Sequence, residues 1–165
     1  MGRTADYSKQ SCPIAAAMQV VGDPWTLLIV RDAFGGTRRF EQWQERLGVA
    51  RNVLASRLKR LVGEGILEAR LYCQRPPRRE YVLTKKGRDL YPVLMTMLTW
   101  GERYAGEACS HGLGEGGAFK HKNCGQPFRA RIHCEACGEP TAPHDLIMTT
   151  PPSLKSDDEA LTLAA

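Results

Sequence analysis

A chain of 165 residues that is 42% hydrophobic and 25% charged can bury one good core and a small appendage, which excludes a disordered or fibrous protein. Its formal net charge of +5 and pI near 9.0 favour an anionic partner. The longest apolar stretch, Ile14 to Val30, is interrupted by Gln19 and by Gly22-Asp23-Pro24, so neither a signal peptide nor a membrane span is expected and a cytoplasmic location is; there the six cysteines serve as thiols, ligands or redox sensors and not as structural disulfides.

In chain order, Cys12 and Pro13 open a helix over Ile14 to Val21, because proline suits a first helical turn, and Pro24 does the same for Trp25 to Phe34. Free N–H groups and the dipole at a helix start favour a thiolate, which makes Cys12 a candidate redox or electrophile sensor, with Cys73 and Cys109 as candidate partners. The competing reading of Cys12 is a small buried hydrophobe. Thr37 is placed to cap a short helix carrying Phe40, Trp43 and Leu47, which Gly48 ends.

The next helix is predicted from Arg51 to Val62. Leu54, Leu58, Leu61 and Val62 recur at helical spacing as an apolar stripe, while Asn52, Ser56, Lys59 and Arg60 point the opposite way, with Arg57 on the flank. Such a helix fits a major groove, where Arg, Asn and Ser bond base edges or phosphates. A solvated amphipathic helix has the same pattern, and Arg57 on the flank is also placed for an internal ion pair. Gly63 and Gly65 close the helix; a strand is expected from Ile66 to Cys73 and a return strand from Glu80 to Leu83. Pro76 and Pro77 cannot donate to a ladder and belong at the tip, with Arg75, Arg78 and Arg79 around them. A helix pair followed by a basic hairpin is the outline of a winged helix-turn-helix, and arginines at its wing meet phosphates or a minor groove. An edge hairpin kept soluble by charge is the alternative.

Thr84 then caps a long helix, Lys85 to about Ala108, which Pro92 kinks or splits. Leu90, Val93, Leu94, Met97, Leu98 and Trp100 are too many apolar groups for one surface helix, so part of this face is expected to meet a second subunit in a two-fold dimer. Residues 111–120 form a Gly-rich linker. Beyond it, His121-x-x-Cys124-Gly125 and Cys134-x-x-Cys137-Gly138 have the spacing of a zinc ribbon, with His133 and His144 as substitute ligands. A structural zinc is the expected cofactor, against an empty or redox-active thiol cluster. Residues 151–165 read as an exposed tail, and no internal repeat is expected.

Several short motifs occur in a fixed order: Cys12-Pro13, Trp25-Thr26-Leu27-Leu28-Ile29, Arg38-Arg39-Phe40, Leu54-Ala55-Ser56-Arg57-Leu58, Pro76-Pro77-Arg78, Tyr81-Val82-Leu83-Thr84 with Gly87, and Trp100-Gly101. The run they define, Cys12 to Trp100, resembles the HxlR-type transcriptional regulators, a branch of the MarR-like winged-helix proteins. That resemblance implies a dimeric cytoplasmic DNA-binding regulator responding to electrophiles, oxidants or small metabolites. The chain departs from it at Ala50-Arg51, where Ser followed by Pro is usual, and at Arg79, where an apolar residue is usual.

The expected architecture is therefore mainly α with a small β hairpin: a winged helix-turn-helix with flanking dimerisation helices (residues 1–110), the linker, a zinc-ribbon-like Cys/His lobe (121–150) and the tail. The expected function is sequence-specific regulation of transcription, a repressor answering a redox, electrophile or small-molecule signal. Its partners are double-stranded DNA, a second copy of the chain and a small-molecule or oxidant effector, with no membrane. The DNA-binding residues are Arg38, Arg39, Arg51, Asn52, Ser56, Arg57, Lys59, Arg60, Arg75, Arg78 and Arg79. The alternatives are a zinc-stabilised protein-interaction module and, less favoured, a thiol or zinc enzyme, for which no phosphate loop, carboxylate pair or nucleophile elbow is visible.

Overall fold

A computed structural model describes residue 7, residues 10–104 and residues 119–147. They fall into two compact units that divide between Phe128 and Arg129. Cys109, most of the 111–120 linker, the far end of the long helix and the 151–165 tail lie outside the described residues.

In the first unit the elements run α1 (Pro13–Val21), α2 (Thr26–Phe34), α3 (Phe40–Leu47), α4 (Arg51–Gly63), β1 (Leu67–Gln74), β2 (Pro77–Leu83), α5 (Lys85–Arg88) and α6 (Tyr91–Tyr104). The core is the apolar stripe of each helix turned inward: Ile29 and Val30 from α2, Trp43 from α3, and Leu54, Leu58 and Leu61 from α4, closed by Val49, Ile66 and Leu67. Trp43 satisfies its indole N–H within this core by donating to the Ile29 carbonyl at 3.2 Å. Among the described residues no single helix is long and apolar enough to cross a membrane.

Several local expectations change. Thr37 does not cap α3; it is buried, and the Gln42 side chain reaches back instead, accepting from the N–H groups of Arg38 and Arg39 at 3.2 and 3.0 Å. Gly48 ends α3 with a left-handed φ of 61°, which a residue with a Cβ rarely adopts. The hairpin is antiparallel, pairs Leu67 with Leu83 and Ala69 with Tyr81, and carries a bulge between Leu71 and Cys73. A third, unforeseen piece joins it: Arg39 bridges to Glu80, and Tyr81 donates its N–H to the Arg38 carbonyl at 2.8 Å.

The long helix is split. Thr84 caps a single turn, accepting from the Gly87 N–H at 3.1 Å, and after Asp89 and Leu90 the chain restarts as α6 with Pro92 in its first turn. On α6 the side chains of Tyr91, Val93, Met97, Trp100 and Tyr104 are exposed, as are Ile14 and Met18 on α1.

The two Cys/His motifs each form a tight turn, and the backbone pairing of the two turns matches. In one turn His121 N–H donates to Gln126 O and Gly125 N–H to His121 O; in the other, Cys134 N–H donates to Glu139 O and Gly138 N–H to Cys134 O. Both turns are closed by matching bridges, Lys120 with Pro127 and His133 with Pro140, and both use a left-handed glycine, Gly125 at 68° and Gly138 at 76°. The first turn belongs to unit one and the second to unit two, where a 3-10 turn, Pro143–Asp145, follows.

Candidate nucleic-acid interface

Helix α4 sorts its residues by period. Leu54, Leu58 and Leu61 are at most 1% exposed, while Arg51, Asn52, Ser56 and Lys59 lie on the solvent side. The helix starts at Ala50 without a side-chain cap, and Arg51 is exposed in its first turn, a helix start and a cation together of the kind that suits an anion. The Arg51 guanidinium lies 4.9 Å above the Phe40 ring, which places its charge near the first turn of α4. Asn52 and Ser56, one turn apart on that exposed face, offer amide and hydroxyl groups of the kind that read base edges.

Two arginines predicted for this face are turned away from it. Arg57 Nη2 is 2.6 Å from Asp23 Oδ2, both side chains being largely covered, and Arg60 Nη2 donates to the Gln19 carbonyl. Both sit at the border of the leucine stripe, where a long side chain can reach the neighbouring helix as readily as solvent. For Arg57 this is the internal ion pair that its place on the flank also allowed; Arg60, expected on the outward face, is instead engaged with the last turn of α1.

The wing brings Arg75, Arg78 and Arg79 together at its exposed end, with Arg78 opposite Cys73 and Arg79 opposite Leu71. Arg38 is exposed at the edge of the same sheet; Arg39 is exposed too, but its guanidinium stacks 4.9 Å from the Tyr72 ring on β1. Among the described residues, the one hairpin cation paired with a carboxylate is Arg70, 3.0 Å from Glu68, and that hydrogen bond holds the Glu68 carboxyl below its ordinary range. Glu68 therefore subtracts from the charge at the base of the wing and leaves its tip cationic.

Cys12 occupies the N-cap position of α1, is half-buried and caps nothing with its side chain. Cys73, also half-buried, points its sulfur toward the Arg75 carbonyl at 3.6 Å; both are free thiols. In the Cys/His turns, His121 Nδ1 and Cys124 Sγ are 3.3 Å apart. His133, offered as a substitute ligand, instead places Nδ1 3.1 Å from the Gly138 carbonyl, and His144 lies beside Asp145 at 3.5 Å. The backbone N–H groups of Cys137 and Ala136, then the Cys137 side chain, bond the Cys134 sulfur and hold its thiol below the usual range. Among the described residues no three His, Cys, Asp or Glu side chains converge as a ligand set.

The chain is similar in sequence and fold to known proteins. The profile of the HxlR-like helix-turn-helix family matches residues 20–109. The chain is 37% identical over 145 residues to the HTH-type transcriptional regulator Rv3095 of Mycobacterium tuberculosis (strain H37Rv), covering 87% of this chain and 88% of the relative. Among solved structures, that of the transcription factor PA1607 superposes with a TM-score of 0.74 at 36% identity, covering 88% of this chain and 99% of the other. The redox regulator HypR in its oxidized form gives a TM-score of 0.52 at 31% identity, over 56% of this chain and 96% of HypR.

Proposed function

The chain belongs to the HxlR-like helix-turn-helix family, whose members are transcriptional regulators and not enzymes, and from that premise we propose that it is a homodimeric, sequence-specific repressor whose hold on DNA is switched at Cys12 by oxidants or electrophiles. The observation that carries the reading is the separation of faces on α4: its leucines are sealed in the core while Arg51, Asn52, Ser56 and Lys59 stay exposed next to a wing tipped by Arg75, Arg78 and Arg79. A helix of this length enters a major groove, and the wing reaches the flanking phosphates or minor groove.

Dimerisation is supported by the uncovered face of α6, where Met97 and Trp100 are 51% and 65% exposed, together with Ile14 and Met18 of α1. One winged helix buries too little DNA for tight specific binding, and a two-fold pair presents its recognition helices about 34 Å apart along the duplex. A dimer seated on a promoter excludes polymerase, which gives repression. Switching at Cys12 draws support from its half-buried place at the start of a helix that shares its exposed apolar face with the proposed dimer seam, and from the likeness to HypR, a redox regulator.

A structural zinc is part of the same proposal, with His121, Cys124, Cys134 and Cys137 as ligands. The donor chemistry fits: three thiols and one imidazole make a closed set. The first turn by itself already holds two donors at 3.3 Å, near the roughly 3.6 Å separating two ligands on one tetrahedral zinc. Metal analysis of untagged protein is expected to find about one equivalent of zinc, and less than about a tenth contradicts it.

The regulator reading is tested by a mobility-shift assay on the DNA upstream of the protein's own gene. Specific retardation that weakens steeply with salt is expected. Equal affinity for unrelated DNA of the same length would overturn it.

A further inference from the structure

The recognition helix is tied to α1 at two points on one flank. Arg57 pairs with Asp23 at 2.6 Å, and the other oxygen of Asp23 accepts from the Trp25 N–H at 3.0 Å, so the carboxylate is fixed in the turn between α1 and α2. Arg60, at i+3 and so on the same flank of α4, donates to the Gln19 carbonyl in the last turn of α1. The turn itself is tight: a Cβ on Gly22 would stand 2.4 Å from the Met18 carbonyl oxygen. Asp23 is 13% exposed and its partner Arg57 29%, so this pair is shielded from salt far more than a surface pair. The neighbouring positions Ser56 and Lys59 are exposed on the reading face.

We infer that Arg57 and Arg60 are positioning residues: they set the angle at which α4 presents Asn52 and Ser56, and the carboxylate of Asp23, through Arg57, is thereby a determinant of operator specificity. This rests on the DNA-reading proposal above and deepens it. It separates the basic residues of α4 into two kinds, those that neutralise phosphate and those that hold the helix. The two kinds differ in a measurable way, because each phosphate contact adds about 0.9 to the slope of log affinity against log salt, and a positioning residue adds nothing. Asp23 gives a contrast of sign as well. Removing an acid from a DNA-binding protein ordinarily strengthens binding to all DNA, whereas loosening the helix weakens binding to the operator alone.

The test measures operator and unrelated-DNA affinity across a salt series for wild type, Asp23→Ala, Arg57→Ala, the double variant and Lys59→Ala. The expected result is an operator affinity about tenfold lower in Asp23→Ala and Arg57→Ala, no further loss in the double variant, and salt slopes equal to wild type. Lys59→Ala should flatten the slope by about 0.9. Asp23→Asn, which keeps an acceptor for the Trp25 N–H, is expected to lose operator affinity in the same direction by a smaller factor, so a poorly folded Asp23→Ala does not excuse the inference. Arg57→Ala flattening the slope like Lys59→Ala, or Asp23→Ala tightening binding to all DNA, overturns it. Specific binding by wild type with both Asp23 variants indistinguishable from it overturns the positioning role alone, whereas absence of specific binding by wild type overturns the DNA-reading proposal beneath it.

Discussion

Trp43 and Ile29 join the first helix of the motif to α2: the fully buried indole donates to the Ile29 carbonyl at 3.2 Å, and its ring meets Tyr81 of the wing edge-on at 6.0 Å. One side chain therefore links three elements that must keep a fixed relation for α4 and the wing to act together. Trp43→Ala should cost about 3–5 kcal/mol, read as a shift of the urea midpoint. A loss below about 1 kcal/mol would show that the core does not depend on this residue.

Two glycines should respond oppositely to the same change. A Cβ on Gly87 would stand 2.2 Å from the Ile66 carbonyl oxygen, a backbone atom with no easy way to yield, so Gly87→Ala is expected to destabilise by about 1–3 kcal/mol. Gly63, the last residue of α4, has open space around it, and Gly63→Ala should be neutral or gain up to about 1 kcal/mol. Thermal melts of the two variants check this, and a stable Gly87→Ala contradicts it.

Much of this fold was legible because burial follows period. Leu54, Leu58 and Leu61 announce the inner face of α4, Gly48 the end of α3, and Pro76 the hairpin turn, whereas Pro77, expected at the tip, opens β2 opposite Gln74, so the return strand starts three residues before the expected Glu80. What period cannot resolve is the destination of a long side chain at the border of a face. Arg60 looks like a DNA ligand until the Gln19 carbonyl, far earlier in the chain, is brought alongside, and Arg57 on the flank left an internal ion pair open without pointing to Asp23 as its partner. The capping of α3 had a visible signal, a glutamine at the third helical position, but Thr37 was the more obvious candidate. The short pairing of Arg38 and Arg39 with β2 is too brief and too polar to show a strand pattern. The two Cys/His turns are legible from their shared spacing and glycine; what that spacing does not show is the closing bridge at a Gly-x-Pro ending, Pro127 in one turn and Pro140 thirteen positions later in the other.

The exposed face of α6 yields a prediction about assembly. Met97 and Trp100 contribute little to the core, so Met97→Glu with Trp100→Glu should leave the melting temperature of the fold within a few degrees while converting dimer to monomer in sedimentation equilibrium. A wild-type monomer, or a double variant that stays dimeric, would remove this face from the interface.

Cys12→Ser should bind operator as wild type does under reducing conditions and keep binding after peroxide or a quinone, whereas wild type is released. If the variant is released as readily as wild type, the switch lies elsewhere, and Cys73 beside the wing arginines becomes the thiol to substitute next.

The most direct measurement of the reading surface is selection of bound sequences from a randomised duplex pool by wild type, Asn52→Ala and Arg78→Ala proteins. Asn52 lies on the exposed face of α4 and Arg78 at the wing, so they should fail in different ways. Asn52→Ala is expected to lose base preference at one position of each half-site, worth about 1–3 kcal/mol, while Arg78→Ala binds all sequences more weakly and keeps the same preferences. Unchanged base preferences in Asn52→Ala, together with those of an Asn52→Ala, Ser56→Ala double variant, would contradict the claim that α4 reads the duplex.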